Sequence, residues 1–179
     1  MRGWNAIMIT VLALETIGAA PPLAGGEHPD FTGTWKIDLE ASDPLDALLE
    51  VQGRSWIERK AARAMKVTQR ITQTADSITI AVESVLRTKT DTFAIGGPWE
   101  ERDTDELGRV RVRTEWSEDG VRLVVRNEAK LKDGTQGELR ISRWLEDGGK
   151  TMVQLVELAL KDGRNPKARR VFRRAPAAK

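Results

Sequence analysis

Alternation along Leu139-Arg140-Ile141-Ser142-Arg143-Trp144-Leu145 places a guanidinium where an apolar side chain belongs, because residues 139, 141, 143 and 145 of a strand point the same way. An arginine on an apolar face needs an anion, since burying it unpaired is costly. A carboxylate of the protein meets that need, or the acidic head of a ligand does. The plainer alternative is a side chain that snorkels to a rim. A second charged constellation follows Ser55-Trp56-Ile57-Glu58, where Arg59, Lys60, Arg63 and Lys66 recur at helical spacing opposite Ile57, Ala61, Ala64 and Met65. A basic amphipathic helix is either a solvated face or a contact for anionic lipid.

Other chemistries lack their parts. Cys and Tyr are absent, and the one histidine, His28, precedes the first strand. With no paired-carboxylate motif, phosphate loop or metal-ligand spacing, the chain is expected to be no enzyme and to need no cofactor. Lys+Arg 29 against Asp+Glu 27 gives a formal net charge of +2, which offers no basic surface for nucleic acid. A hydrophobic fraction of 40% argues against disorder.

The elements that must position these residues are mainly β. Thr32 to Ile37 reads as a short strand around Trp35. Two helices follow. Asp43 as N-cap, Pro44 at the first helical position and Leu45, Leu48 and Leu49 on one side predict the first; Ser55 and Glu58 form the capping box of the second. From Val67 onward the period is two: Val67, Gln69, Ile71 and Gln73 alternate, then Ile78, Ile80 and Val82, and later Val110, Val112, Thr114 and Trp116. Turns at Asp119-Gly120, Asp133-Gly134, Asp147-Gly148 and Asp162-Gly163 separate the later strands. About ten strands in an up-and-down meander remove their edges by closing into a barrel, so the expected architecture is an antiparallel β-barrel capped by a helix-turn-helix between its first and second strands.

Arg2 followed by the apolar run from Ala6 to Leu14 and by Gly18-Ala19-Ala20 has the parts of a secretory signal. The run is too short for a membrane span. The organisation expected is therefore a signal peptide over residues 1–24, a linker over 25–30 and one barrel domain over 31–175. Location is then periplasmic or secreted, and cytoplasmic if the signal reading fails.

In the order strand, helix pair, strands, in Phe31-Thr32-Gly33-Thr34-Trp35-Lys36, in Leu45 to Leu49, in Asp76-Ser77-Ile78-Thr79-Ile80, in Thr90 to Gly96 and in Arg169-Arg170-Val171-Phe172, the chain resembles the fatty-acid-binding proteins, the intracellular lipid-binding family of calycins. It spans roughly Phe31 to Arg174. The resemblance implies non-covalent binding and transport of a fatty acid, or a similar hydrophobic carboxylate, inside the barrel of a monomer. It also implies a clamp in which Arg143 and Arg170 meet the carboxylate, with Phe172 standing where the family has a tyrosine. Trp35, Met65, Phe93 and Trp116 are candidate liners of the cavity, or plain core. Arg59, Lys60, Arg63 and Lys66 fall on the helix that serves the family as ligand portal, with transient contact to an anionic membrane. Departures are the absent tyrosine hydroxyl, the longer last hairpins and the export signal. Two alternatives stand beside this reading: a lipocalin-like secreted barrel for another hydrophobic ligand, and a structural or partner-binding barrel with a packed interior.

Overall fold

The structure, a computed structural model, describes residues 28–104 and 108–176. The signal reading of residues 1–24 and the linker residues 25–27 lie outside the described residues. Ten strands form one antiparallel sheet: β1 (Gly33–Asp38), β2 (Val67–Gln73), β3 (Ser77–Ser84), β4 (Thr88–Ala94), β5 (Glu100–Thr104), β6 (Gly108–Trp116), β7 (Leu123–Lys130), β8 (Gln136–Glu146), β9 (Thr151–Leu160) and β10 (Lys167–Arg174). Sheet order is β4-β3-β2-β1-β10-β9-β8-β7-β6-β5, so every pair of consecutive strands except β4 and β5 is laddered, and β1 closes onto β10. The remaining edges, β4 and β5, share no ladder. That seam is crossed instead by the bridge between Ile95 and Thr114 and by Arg102, whose Nη2 donates to the Thr92 carbonyl at 2.7 Å while its guanidinium lies 5.0 Å from the Phe93 ring centroid. The sheet thus curls into the expected barrel.

The hairpins turn where sequence chemistry allows it. Gly120 and Gly163 sit at φ +70° and +92°, in the left-handed region that costs glycine least.

Alternation sorts each strand into an inner and an outer face. Inward residues form two apolar clusters. One contains Phe31, Trp35, Ile71, Ile78, Phe93, Leu123, Met152 and Phe172; the other contains Leu48, Leu131, Leu139, Leu158, Leu160 and Ala168. The first is plugged by the residues before β1. Phe31 is fully buried, its N–H donates to Gln73 Oε1 at 3.1 Å, and His28 stacks on Trp116 at 4.3 Å between ring centroids. Residues 28–30, read as linker, are therefore docked onto the barrel. A short Pro-containing stretch hides such packing from a compositional reading.

At the other end lie the helices α1 (Asp46–Val51) and α2 (Trp56–Arg63). Leu48 and Leu49 of α1 are buried, whereas α2 buries none of its residues. The capping box of Ser55 and Glu58 is present, and it ties up the first amides of α2. The first helix departs from expectation. It begins at Asp46 behind Leu45, with no side-chain cap, because Asp43 is engaged elsewhere: its N–H donates to the Arg169 carbonyl at 2.8 Å and its carboxylate accepts from the Arg169 N–H at 2.9 Å. Two bonds to the β10 backbone, one from the Asp43 main chain and one to its carboxylate, outweigh one cap bond.

Candidate functional site: an arginine row inside the barrel

Strand register builds the site. Arg143 on β8 and Arg170 on β10 are both the cross-strand partners of Gln154 on β9, so the three stand in one row on the inner face. On β8 the neighbours of Arg143 on that face are Ile141 and Leu145; on β9 they are Met152 and Val156; on β10, Ala168 and Phe172. On these three strands the row therefore forms a polar belt between Leu145, Met152 and Phe172 on one side and Leu139, Leu158 and Ala168 on the other. Parity left the direction of Arg170 open, because Val171 and Phe172 are both apolar. Arg170 faces in, 7% exposed, and Val171 is nevertheless buried beside its outer-face neighbour Val153.

Arg143 is 5% exposed, and no carboxylate among the described residues forms an ion pair with it. Its partner is neutral. With the Gln154 amide oriented oxygen-first, that oxygen accepts from Nε at 2.9 Å and from Nη2 at 2.8 Å. The other amide atom of Gln154 lies 3.3 Å from the Gln69 amide on β2, which carries the polar belt around the wall. Arg143 Nη1 has no partner among the described residues. Burial pushes the guanidinium down to about 10, which leaves it charged at neutral pH without a counter-ion. Arg170 is held differently: Nη1 donates to the backbone carbonyl of Asp43 at 2.7 Å. Burial lowers its pKa also, with the Asp43 charge acting in the opposite sense. Arg143 and Arg170 thus both point into the barrel, each with part of its donor fork taken by a neutral acceptor. Such a pair can seat an anion through charge-assisted hydrogen bonds.

The residues proposed from sequence are placed as follows. Trp35, Phe93 and Phe172 are buried in the plugged-end cluster, and Trp116 packs against it. Trp35 donates its indole N–H to the Phe31 carbonyl at 2.8 Å, so it is fastened to the plug. Met65 follows α2 and is half-buried outside both clusters. On α2, Arg63 forms a two-pronged bond to Asp46 at 2.7 and 2.6 Å, which holds the Asp46 carboxyl below the usual range. Arg59 lies 3.3 Å from Glu50, and Lys60 sits over the Trp56 ring at 5.1 Å. Two of the four basic residues thus pin α2 to α1, and Lys66 is exposed. Ile57, first in the apolar stripe, is 58% exposed.

Sequence reasoning missed Gln154, Gln69 and the Asp43 carbonyl. The signal for the glutamines was present: Gln154 interrupts Met152, Val156 and Leu158 just as Arg143 interrupts its own strand. No local pattern reveals that a backbone carbonyl more than a hundred residues away orients Arg170.

Comparison with known proteins agrees with this architecture. The sequence matches no family model. A 75-residue stretch, 42% of this chain, is 31% identical to a 14 kDa fatty acid-binding protein of Schistosoma mansoni; the chain spans about half of that relative, 55% of its length. Among solved structures, the Schistosoma mansoni fatty acid binding protein in complex with arachidonic acid superposes with TM-score 0.60 at 24% identity, over 84% of this chain and 100% of that one. Human cRBP IV gives 0.63 at 23% identity, covering 82% and 99%. The REP1-NXSQ fatty acid transporter gives 0.62 at 20%, covering 82% and 97%. Ten antiparallel strands in that order, a helix pair between the first two and a seam between β4 and β5 give this chain the fold of the fatty-acid-binding proteins.

Proposed function

We propose that the barrel binds and carries a fatty acid, or a similar hydrophobic carboxylate, without covalent chemistry. The observation that carries this reading is Arg143: a charged guanidinium buried in the barrel, with no anion from the described residues and one donor left over. A carboxylate head offsets the burial of that charge, while the hydrocarbon gains about 0.8 kcal/mol for each buried methylene. The likeness to a Schistosoma mansoni fatty acid-binding protein and to a fatty acid transporter supports the same ligand class.

Exchange is assigned to the lid. A helix with no buried residue opens at modest cost, and its apolar tips, Trp56 at 64% and Ile57 at 58% exposed, stand with Val85 and Leu86 of the β3–β4 turn at one end of the barrel. Together with Lys60 and Lys66 they suit transient contact with an anionic membrane.

Native mass spectrometry of the chain purified from cells tests the reading. A bound mass released by organic solvent and identified as a carboxylic acid is the expected result. A chain that carries no acid, and binds none when titrated after delipidation, refutes it in favour of a packed structural barrel.

A further inference from the structure

The arginine row is not the whole of the polar surface inside the barrel. Thr114 on β6 and Asn127 on β7 also face inward, 2% and 4% exposed, and Thr114 Oγ1 and Asn127 Nδ2 have no hydrogen-bond partner among the described residues. Register places them relative to Arg143. Ile141, the next inward residue of β8 toward the helices, is level with Val125 and hence with Thr114; Leu139, the one after, is level with Asn127. At about 3.4 Å per residue and about 4.8 Å between strands, the two backbone positions lie on the order of 12 and 14 Å from Arg143 along the wall.

Both positions are on the lid side of the arginine row, because Leu139 packs in one cluster with Leu48 of α1. The opposite side is filled by Leu145, Met152, Phe172 and the Phe31 plug. An acyl chain whose carboxylate rests on Arg143 therefore runs toward the lid, past Thr114 and then Asn127. Plain methylenes laid against a hydroxyl and an amide would leave those atoms buried and unsatisfied, at a cost that a ligand oxygen removes.

Resting on the fatty-acid reading above, we propose that the preferred ligand is an oxygenated acyl carboxylate. Its head meets Arg143 and Arg170, and a hydroxyl or carbonyl partway along its chain accepts from Asn127 Nδ2 or bonds the Thr114 hydroxyl.

Calorimetric titration of the delipidated full chain tests this with stearic acid and a positional series of hydroxystearic acids. At least one member hydroxylated near mid-chain binds more tightly than stearic acid, on the order of tenfold, the yield of one good neutral hydrogen bond. Asn127→Leu or the isosteric Thr114→Val, whichever removes the residue that the hydroxyl meets, weakens that hydroxy acid and tightens stearic acid, so the preference narrows or reverses. Thr114→Val keeps side-chain volume, which protects the comparison if the larger change disturbs folding. Stearic acid bound as tightly as every hydroxy isomer overturns the proposal while leaving the fatty-acid reading intact, and so does a preference that survives both substitutions. Failure of all these acids to bind removes the fatty-acid reading itself, and this inference with it.

Discussion

In the proposed function a single side chain, Arg143, sets both ligand affinity and the stability of the empty barrel, in opposite directions. Its charge is buried against a neutral amide, so the unliganded protein bears a desolvation penalty that an acid ligand relieves. Replacing Arg143 and Arg170 together with Met is expected to weaken a long-chain fatty acid by about 2 kcal/mol or more, because charge-assisted hydrogen bonds are lost. The methyl ester, which has no charge to pair, should change little; fluorescence displacement with acid and ester side by side reads the difference, and equal losses would remove the clamp. A pH series gives a second check. Because burial lowers the Arg143 guanidinium to about 10, affinity for the acid should hold steady near neutrality and fall as pH rises through about 10, where the free protein gives up the proton the carboxylate needs. Strand parity exposed Arg143 from sequence because a period of two is rigid. The same rule applied to Gln69 and Gln154 would have shown the rest of the belt, but a glutamine among apolar residues attracts less suspicion than a charge.

At the scale of elements, α2 is fastened to α1 mainly by charge. Arg63 to Asp46 and Arg59 to Glu50 join α2 to α1, while α2 contributes no buried side chain. Exposed ion pairs add little to global stability. Asp46→Asn should therefore leave the melting temperature nearly unchanged yet speed both uptake and release of ligand in stopped-flow measurements; unchanged rates would mean that α2 does not gate the barrel. Transfer of bound fatty acid to vesicles should accelerate with anionic lipid content and slow with salt, as screening over a Debye length of about 10 Å at 0.1 M requires. Reversing Lys60 and Lys66 to Glu should abolish that dependence while leaving the ion pairs of Arg59 and Arg63 in place. The capping box made α2 readable from four residues. The first helix was misplaced because Asp43 and Pro44 carry a strong start signal, and only the folded chain shows Asp43 bonded to Arg169 of β10 instead.

For the molecule as a whole, the strands were legible because Asp-Gly turns punctuate a steady alternation, and the helix pair set the topology. The seam was legible on one side only: the short, highly charged stretch from Trp99 to Asp103 reads as an edge strand, whereas nothing local marks β4 as its unpaired neighbour. Between β4 and β5 the wall is held by the Ile95–Thr114 bridge and by Arg102, which also bonds Glu100 Oε2 at 2.7 Å. Arg102→Leu is expected to raise amide hydrogen exchange in β4 and β5 while the exchange of β8 and β9 stays slow, because the latter pair is laddered over its full length. Uniform acceleration across the sheet would show that Arg102 supports global folding and not this seam alone.

The docked segment at His28 has a consequence for how the molecule is held. The described chain begins beside Gly120 on the plugged pole, and it leaves β10 at the same pole, where the Ala175 N–H donates to the Thr34 carbonyl at 2.7 Å. The helices stand at the other pole. A tether attached through either end of the barrel would therefore grip it by its floor and leave its doorway pointing away from the attachment. Cargo would pass on the far side, toward whatever lies opposite the anchor.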